Sequence, residues 1–521
     1  MIDYSKLRNG SDIRGVAIEI PGGKSVNLNE ESTRNIGFAF VLWAGKRLNR
    51  PAFELRIAIG RDSRLSGEQL TKWLGMGISA AGAKAFDCGM ASTPAMFMCC
   101  VNELHFDAGI MVTASHLPME RNGMKFFIES GGLEKEDIAE ILRSAAEVRL
   151  AEEGLTEDRL TEICSPSSSE SMDKADVMTP YINGLKRIIL KGLGASEADK
   201  PLSGLKIVVD AGNGAGGFFA ERLLLPLGAD ISGSRFLEPD GRFPNHQPNP
   251  ENHEAMESIC EAVRESKADF GIIFDTDVDR AGAVLPCGEG TLALDRNRLI
   301  ALMTAILNKQ YGSITVVTDS ITSTGLSEFI DSLGCKHHRF KRGYRNVINE
   351  AKRLMAEGEN AVFAMETSGH GALYENYFLD DGAYIIVKLL IELVNAKRSG
   401  STLDALIATL NEPEEGAEAR LAVMLEDTVD YTASVLEAVE RHFTDLEGFT
   451  IVHPNYEGVR VSADAEHGGG WFLIRRSLHD PIMPCNLESN YKGGLRLLAS
   501  ALLDSVKQFD KLDTEPLRRL C

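Results

Sequence analysis

Leu55-Arg56-Ile57-Ala58-Ile59-Gly60-Arg61-Asp62 begins as a β-strand and ends as a tight turn. The mostly apolar run at 55–59 predicts a buried strand, and the Gly-Arg-Asp that follows predicts its end. Residues 66–81 then carry apolar side chains at helical spacing, and residues 82–86 predict the next strand. A strand followed by a helix and another strand is typical of a parallel sheet covered by helices.

The same alternation recurs further along the chain. Residues 206–210 predict a strand that precedes a helical stretch at 216–227, and residues 314–319 precede a helical stretch at 322–333. Recurrence of this order predicts an α/β protein that is built from several units of similar plan.

The domain organisation follows from length and from breaks in the pattern. A chain of 521 residues has room for about three or four domains. The Ser/Pro-rich run at 165–169 is typical of a linker, the acidic turn at 411–416 interrupts a helical pattern at 403–410, and a strand pair gives way to an apolar helix near 291–295. These breaks predict domains near residues 1–175, 176–294, 295–411 and 412–521, the last of them α+β.

The composition excludes several classes of protein. Acidic residues outnumber basic ones, 76 to 55, and the resulting net charge of −21 disfavours a nucleic-acid or anionic-membrane binder. The chain has no uninterrupted apolar run of about 18 residues, so we expect no membrane span. The start of the chain lacks the apolar region of a secretory signal, and the nine cysteines include no Cys-x-x-Cys pair. We therefore expect a cytoplasmic protein without a disulfide framework.

A serine-bearing loop follows a predicted apolar strand at 108–112. It reads Thr113-Ala114-Ser115-His116-Leu117-Pro118 and continues to Asn122, Gly123 and Lys125. A serine at the carboxyl end of such a strand lies where open α/β sheets bind ligands. His116 and Lys125 are the local candidates for the proton acceptor or cation that a reactive serine needs. A polar turn whose serine caps the next segment explains the same residues equally well.

An acidic loop follows the predicted strand at 270–273. Its carboxylates stand at alternate positions: Asp275, Asp277 and Asp279. Like charges this close raise one another's pKa, and a hard divalent cation such as Mg²⁺ resolves the conflict. An EF-hand does not fit, because Arg280 takes the place of its glycine and Pro286 that of its last glutamate. The alternative is a solvated acidic turn.

Three further turns carry weaker signals. Arg61 and Arg64 lie in a strand-to-helix turn that suits a phosphate group, as well as it suits an ordinary surface turn. The segment 366–370, Glu-Thr-Ser-Gly-His, offers a carboxylate and a hydroxyl to sugar hydroxyls, although a polar turn would look the same. The basic turn at 341–345 is equally consistent with a solvated loop.

Taken together, the motifs resemble the α-D-phosphohexomutase superfamily, the phosphomannomutase/phosphoglucomutase enzymes. The likeness extends over nearly the whole chain and keeps the order of the family's motifs. The segments that carry it are Ser11-Asp12-Ile13-Arg14-Gly15, Thr113–Pro118 with Asn122, Gly123 and Lys125, residues 239–252, residues 275–280, residues 341–345 and residues 366–370.

The resemblance implies an α/β fold with four domains around a central cleft, three of them α/β with mixed sheets and the C-terminal one smaller and α+β. It implies an isomerase that interconverts hexose 1-phosphate and hexose 6-phosphate, with mannose and/or glucose as the sugar. Ser115 would carry the phosphoryl group as phosphoserine, and a bisphosphorylated sugar would be the intermediate. Mg²⁺ and a hexose 1,6-bisphosphate activator are the implied cofactors.

The resemblance also assigns roles to individual residues. The implied catalytic residues are Ser115, His116, Lys125, Arg280 and His370. The implied metal ligands are Ser115, Asp275, Asp277 and Asp279. The implied substrate-binding residues are Arg14, Arg61, Lys341, Arg342, Glu366, Ser368, Arg475 and Ser477.

The last domain departs from the family's pattern, which reads Arg-x-Ser-Gly-Thr-Glu-Pro at the loop for the phosphate that is not being transferred. Here Arg475-Arg476-Ser477-Leu478-His479-Asp480-Pro481 takes that place, without the glycine and the threonine. The identity of the sugar is therefore not decided. A phosphoglucosamine mutase and a non-catalytic sugar-phosphate-binding relative are alternatives. A Mg²⁺-dependent phosphatase is a further alternative, because Asp275-Thr276-Asp277 superficially resembles the nucleophile pair of haloacid dehalogenases. The oligomeric state, monomer or dimer, is open too.

Overall fold

The computed structural model describes residues 2–153, 172–294, 296–425, 427–477 and 480–521. Within these ranges the chain forms two compact units. The larger unit comprises Met1–Asp295 and Ser368–Thr402, and the smaller comprises Arg296–Thr367 and Leu403–Cys521. None of the helices in the described ranges is long and apolar enough to cross a membrane.

A mixed sheet lies at the start of the larger unit. Its strands are β1 (Arg8–Asn9), β2 (Asp12–Val16), β3 (Arg56–Arg61), β4 (Lys84–Met90), β5 (Ala108–Val112), β6 (Arg121–Ile128), β7 (Gly131–Gly132) and β8 (Asp173–Lys174). They run in the order β1-β2-β6-β5-β3-β4-β8, with β7 beside β6. Strand β3 pairs parallel with β4 and β5, whereas β5 pairs antiparallel with β6. The loop that joins β5 to β6 therefore lies at the carboxyl end of β5.

Helices cover this sheet as the sequence predicts. They are α1 (Glu30–Leu48), α2 (Gly67–Ala80), α3 (Thr93–Val101) and α4 (Lys135–Glu153). On one face of the sheet, the apolar side chains of β3 and β5 are fully buried in a cluster with Phe40 of α1 and Leu74 of α2. The predicted strand, helix and strand at 55–86 are confirmed as β3, α2 and β4. Burial of this apolar face is the main force that holds the helices on the sheet.

A second sheet in the larger unit carries the acidic loop. Its strands are β9 (Ile207–Asp210), β10 (Phe270–Phe274), β11 (Ala281–Cys287) and β12 (Gly290–Leu294), in the order β12-β11-β10-β9. Strands β9 and β10 are parallel, and the remaining pairs are antiparallel. Its helices are α5 (Met178–Leu193) and α6 (His253–Ser266). The acidic loop thus connects the buried strand β10 to its antiparallel neighbour β11.

The helical stretch predicted at 216–227 is present but shorter. Residues 217–224 are helical, and the part at Phe219–Leu224 is π-helical. The stretch ends before Pro226, which has no amide hydrogen to donate and disfavours a helical backbone at the residue before it.

The smaller unit contains two sheets. The parallel sheet has the order β14-β13-β15 and consists of β13 (Thr315–Thr318), β14 (Lys336–Arg339) and β15 (Phe363–Met365), with helices α7 (Arg296–Tyr311), α8 (Thr324–Ser332) and α9 (Tyr344–Ala356). In the larger unit, the hairpin of β16 (Gly371–Leu373) and β17 (Leu379–Asp380) is followed by α10 (Gly382–Arg398). The helix predicted at 403–410 shortens to a 3₁₀ turn at Asp404–Ile407.

The second sheet of the smaller unit is antiparallel throughout. Its strands are β18 (Glu415–Ala422), β19 (Phe449–Ile451), β20 (Val459–Ala463), β21 (Gly470–Ile474) and β22 (Ile482–Ser489), in the order β18-β22-β21-β20-β19. The helices α11 (Val429–Phe443), α12 (Gly494–Val506) and α13 (Glu515–Arg518) complete it, and Phe443 and Phe472 are fully buried in its core. The predicted α/β fold with several mixed sheets and an α+β C-terminal part is confirmed.

Candidate active site

Ser115 lies in the loop between β5 and β6, residues 113–120, called the serine loop below, and has an unusual backbone conformation. Its φ of 49° falls in the left-handed region, which residues other than glycine seldom adopt. The Ser115 amide donates to Oγ1 of Thr113 over 2.9 Å. Its Oγ donates to Oδ2 of Asp275 over 3.0 Å, so the loop after β5 meets the acidic loop after β10. The side chain that sequence reasoning marks as the nucleophile is thus held at the acidic loop.

The three carboxylates of the acidic loop converge as predicted. Asp275, Asp277 and Asp279 are buried, and one oxygen of each lies within 4.8 Å of the others. Burial raises the pKa of Asp275 well above its usual value, and the negative charges of Asp279 and Asp277 raise it further. Burial acts on Asp279 in the same direction, but the cations Lys125, His370 and Arg280 outweigh it and lower its pKa.

The chemistry of these donors fits a divalent metal ion. Oδ1 of Asp277 and Oδ1 of Asp279 are buried and accept no hydrogen bond from any described residue. A buried carboxylate oxygen without a partner is costly, and a cation would satisfy both oxygens at once. The ligand set is oxygen only, which suits a hard ion such as Mg²⁺. The structure therefore contains an acidic cluster able to hold a metal.

Arg280 brings the serine loop and the acidic loop together. Its guanidinium is fully buried, and its Nη2 donates to Oγ of Ser115 over 2.9 Å. The same Nη2 lies 2.6 Å from Nδ1 of His116, and Nε lies 3.3 Å from Oδ2 of Asp275. Since arginine only donates, His116 Nδ1 must accept. Burial and then the Arg280 charge lower the pKa of His116 to about 3, so this imidazole is neutral near pH 7.

Two more cations border the acidic cluster. Lys125 of β6 lies with its Nζ 3.2 Å from Oδ2 of Asp277 and forms an ion pair with Asp279. His370 forms an ion pair with Asp380, and its Nδ1 is 3.9 Å from Oδ1 of Asp279. Burial lowers the pKa of His370, but the charges of Asp380 and Asp279 outweigh it and raise that pKa to about 9. The structure thus brings together all five predicted catalytic residues.

The structure places further residues at this site that their chemistry alone does not predict. Asn249 accepts from Nη1 of Arg280 over 3.1 Å, and Nε2 of Gln247 donates to the His116 carbonyl over 2.8 Å. Thr93, at the start of α3, donates its hydroxyl to Asp277 and its amide to the Asp277 carbonyl. Asp380 forms an ion pair with His370. The motif Pro248-Asn249-Pro250 is a sequence signal for Asn249, whereas nothing in the local sequence indicates a role for Thr93.

Arg14 and Arg61 sit in ion pairs within the larger unit. Nη2 of Arg14 lies 2.8 Å from Oδ2 of Asp12, and its Nη1 donates to the Thr113 carbonyl. Nη1 of Arg61 lies 2.8 Å from Oδ1 of Asp87. Ser368, in the same unit, is buried. The substrate-binding roles of these residues stay predictions.

The sugar-recognition candidates of the smaller unit are also connected by hydrogen bonds. Oε1 of Glu366 accepts from the Gly343 amide over 2.6 Å. The Arg342 amide donates to Oε1 of Glu457 over 2.9 Å. Nε of the Arg342 side chain lies 3.6 Å from Oδ2 of Asp319. Nζ of Lys341 lies 5.7 Å from the centre of the Phe340 ring. Glu457 is a partner of this loop that sequence reasoning misses.

The structure describes part of the C-terminal loop at 475–481, which is expected to bind phosphate. Arg475 is buried, and its Nε has no hydrogen-bond partner among the described residues. The Ser477 amide donates to the Ile482 carbonyl over 3.1 Å, and Ser477 Oγ accepts from the Asp480 amide over 3.3 Å. Leu478 and His479, where the sequence departs from the family's pattern, lie outside the described residues.

Comparison with known proteins shows the family of this chain. Models of the phosphoglucomutase/phosphomannomutase alpha/beta/alpha domains match the chain in order: domain I at residues 5–152, domain II at 179–288 and domain III at 295–412. The chain belongs to the phosphoglucomutase/phosphomannomutase family. The predicted membership of the α-D-phosphohexomutase superfamily is therefore confirmed.

Relatives of this family match over almost their whole length. A phosphomannomutase/phosphoglucomutase of Pseudomonas syringae pv. tomato is 29% identical over 95% of this chain and 94% of its own. A phosphoglucomutase of Neisseria gonorrhoeae is 28% identical over 93% of each chain. The crystal structure of a phosphoglucomutase/phosphomannomutase family protein from Burkholderia thailandensis superimposes with a TM-score of 0.76 at 25% identity, covering 98% of this chain and 100% of that one. The fold is thus that of the phosphoglucomutase/phosphomannomutase family.

A buried ion pair supports the loop that carries Gln247 and Asn249. Nε2 of His246 lies 3.1 Å from both carboxylate oxygens of Asp210, which also accepts from the Ser258 hydroxyl over 2.7 Å. Nδ1 of His246 lies 3.0 Å from the Gln247 carbonyl, so both ring nitrogens face acceptors. Burial lowers the pKa of His246, but Asp210, the Gln247 carbonyl and Glu254 outweigh it, and the net pKa is raised.

We expect Asp210→Asn to lower the thermal midpoint at pH 6 by about 2–8 °C, which corresponds to about 1–2 kcal/mol. A histidine whose folded pKa is raised stabilises the protein below its unfolded pKa, and this contribution is lost as pH rises through the folded pKa. The deficit of the variant should therefore shrink between pH 6 and pH 9, as measured by calorimetry. Asp199→Asn, at an exposed carboxylate, is the control. An equal deficit at both pH values would contradict a charged His246.

Proposed function

We propose that this protein is a phosphohexomutase that moves a phosphoryl group between O1 and O6 of a hexose, with mannose and/or glucose as the sugar. The observation that carries the proposal is the position of Ser115 Oγ, which is hydrogen-bonded to Asp275 and Arg280. Lys125 pairs with the other two carboxylates of the acidic cluster, Asp277 and Asp279. This is a preorganised setting for phosphoryl transfer, which depends on positioning and charge stabilisation.

In this proposal Ser115 carries the phosphoryl group as phosphoserine. The bond between phosphorus and Ser115 Oγ breaks as a bond forms to the free hydroxyl oxygen of a hexose monophosphate. The bisphosphorylated sugar then reorients and returns its other phosphoryl group to Ser115, so that no net phosphate is consumed. A hexose 1,6-bisphosphate would prime the enzyme by phosphorylating Ser115.

The residues around Ser115 would divide the work of the transfer. Asp275, Asp277 and Asp279 would hold Mg²⁺ together with the phosphoserine, and the bound ion would neutralise charge on the transferring group. Arg280 and Lys125 would orient and stabilise the same phosphoryl group by donating hydrogen bonds. His116 and His370 are the proposed sites of proton transfer to and from the sugar hydroxyl.

Substrate recognition is proposed for a further set of residues. Glu366 and Ser368 would form hydrogen bonds with sugar hydroxyls, and Lys341 and Arg342 would contribute to recognition of the sugar. Arg475 and Ser477 would bind the phosphate that is not transferred, a role supported by the buried Arg475 Nε that lacks a hydrogen-bond partner among the described residues. Arg14 and Arg61 are proposed as additional phosphate-binding residues. We propose domains near 1–175, 176–294, 295–411 and 412–521.

A product assay tests the proposal. The protein is incubated with Mg²⁺, a trace of glucose 1,6-bisphosphate and, in separate reactions, the 1-phosphates of glucose, mannose and glucosamine. We expect the 6-phosphate of glucose, of mannose or of both, with no stoichiometric release of inorganic phosphate. Release of inorganic phosphate without isomerisation would indicate a phosphatase, and binding without either product would indicate a non-catalytic relative. Turnover of glucosamine 1-phosphate alone would move the substrate assignment to that sugar.

A further inference from the structure

Arg64 lies beneath the serine loop and binds its backbone. The side chain is completely buried, in the turn between β3 and α2. Its guanidinium donates to four main-chain carbonyls: those of Ser115, Leu117 and Pro118 in the serine loop and that of Arg121, the first residue of β6. Nη1 reaches Pro118 over 2.9 Å and Arg121 over 3.0 Å, and Nη2 reaches Ser115 and Leu117. One planar group therefore binds the loop at its start, middle and end.

The surroundings of Arg64 fix it in this position. Its Nε lies 3.4 Å from Oδ2 of Asp62, and Oδ1 of Asp62 accepts from the Arg64 amide over 2.9 Å. The ring of Phe243 lies 5.2 Å from the guanidinium carbon. The chain at Gly241 packs so closely on this turn that an added Cβ would lie 2.4 Å from the Ser63 carbonyl oxygen. Arg64 is thus paired with Asp62, covered by Phe243 and the chain at Gly241, and not accessible to a phosphate in solution.

The conformation that Arg64 holds is a strained one. A left-handed backbone is unfavourable for a residue other than glycine, and Ser115 adopts it. Such strain persists only where surrounding contacts over-determine it. The backbone bonds from Leu117 to Ala114 and from Arg121 to Pro118 are local. The loop is also bound from outside, because the Glu120 carbonyl accepts from the amides of Ala17 and Ile18 and the His116 carbonyl accepts from Gln247. Arg64 binds the carbonyl of the strained residue itself, Ser115, together with those of Leu117, Pro118 and Arg121.

We propose that Arg64 is a positioning residue that keeps Ser115 in the conformation in which its Oγ meets Asp275 and Arg280. The catalytic part of this inference rests on the proposed mutase function, whereas the effect on the loop does not. Lysine cannot replace Arg64, because a single ammonium with three donors cannot serve four carbonyls that a planar guanidinium reaches with two nitrogens. The two basic side chains of this turn thus differ, since Arg61 pairs with Asp87 and Arg64 binds backbone.

Arg64→Lys tests the proposal by two independent readouts. Amide hydrogen exchange of peptides that span 113–122 should become about 10-fold faster or more, while the rest of the larger unit keeps its exchange rates. With the sugar 1-phosphate that the wild type converts, kcat should fall about 100-fold and KM should change little, because misplacement of a reacting group affects the transfer rather than substrate binding. A purely structural role would not divide kcat from KM in this way.

Arg56→Lys is the matched control. Arg56 also belongs to the β3 region, donates to a backbone carbonyl, that of Leu104, and lies 4.6 Å from an aromatic ring, that of Phe106, but it is exposed and contacts no residue of the serine loop. It should leave loop exchange and kcat unchanged. If Arg64→Lys does not fold, Asp62→Asn combined with Arg64→Met removes both buried charges together and so avoids an unpaired one. The same two readouts then apply.

The outcomes separate this inference from the proposed function. Wild-type exchange at 113–122 in the Arg64 variant, or a rise spread evenly over the larger unit, would overturn the positioning role. Faster exchange confined to the loop with an unchanged kcat would also overturn it. A wild-type protein without mutase activity refutes the proposed function, and the exchange experiment then decides the role of Arg64 by itself.

Discussion

Replacing Ser115 by alanine should lower kcat by about 10⁴-fold or more. The substitution removes the oxygen that would carry the phosphoryl group, and positioning by the remaining residues cannot substitute for a missing nucleophile. The assay is conversion of the sugar 1-phosphate with Mg²⁺ and glucose 1,6-bisphosphate. Intact-protein mass measured after incubation with the bisphosphate should show one added phosphate in the wild type and none in the variant.

Ser203→Ala serves as the control for this variant. Ser203 is exposed, lies in the same unit and contacts neither the acidic cluster nor the serine loop, so its loss should leave turnover and phosphorylation intact. Thermal midpoints of both variants should lie within a few degrees of the wild type, because neither change opens a large cavity. Near-normal isomerisation by the Ser115 variant would exclude phosphoserine chemistry at this position.

The second large effect is expected from Arg280→Lys, which should lower kcat by about 10²–10³-fold. The guanidinium donates to Ser115 Oγ and Asn249 Oδ1 from different nitrogens while it also contacts Asp275. Lysine keeps the positive charge beside the buried carboxylates but cannot direct hydrogen bonds to all of these partners. Steady-state kinetics over a range of Mg²⁺ concentrations provide the measurement, and the loss should persist at saturating Mg²⁺.

Arg242→Lys is a suitable control for the arginine chemistry. Arg242 is exposed and pairs with Asp240 over 2.6 Å, so its contribution to turnover and stability should be small. If both lysine variants kept wild-type kcat, Arg280 would have no special part in the transfer. Recovery of the Arg280 variant by high Mg²⁺ alone would assign the guanidinium to metal retention rather than to the phosphoryl group.

The contiguous part of the site is predictable from the sequence. Ser115 and the carboxylates at 275, 277 and 279 each follow an apolar strand directly, so their place at a sheet edge follows from local patterning. The fold class is predictable for the same reason, since strand and helix alternate with clear periodicity. The pattern is less reliable for the extent of an element: the helical stretch expected at 216–227 ends at residue 224, because Pro226 cannot donate a helical hydrogen bond.

The supporting residues are not predictable in the same way. Thr93 and Glu457 look like ordinary polar residues until the tertiary fold places them against Asp277 and the amide of Arg342. The arginines of the turn at 61–64 show the complementary difficulty. Local sequence gives two cations near a helix start, but only the fold shows that one reaches a carboxylate of β4 and the other reaches backbone carbonyls. The direction of a side chain is a tertiary property.

The spacing of the site along the chain has a consequence for synthesis on the ribosome. Arg64 and the carbonyls to which it donates are only 51–57 residues apart, so Arg64 can bind the serine loop as soon as the first sheet forms. Ser115 and Asp275, by contrast, are 160 residues apart, which corresponds to about 8–32 s of translation at typical rates. During that interval the carboxylates of the acidic loop and Arg280 have not yet been synthesised. A product truncated before residue 275 would therefore contain the proposed nucleophile and lack the whole acidic cluster.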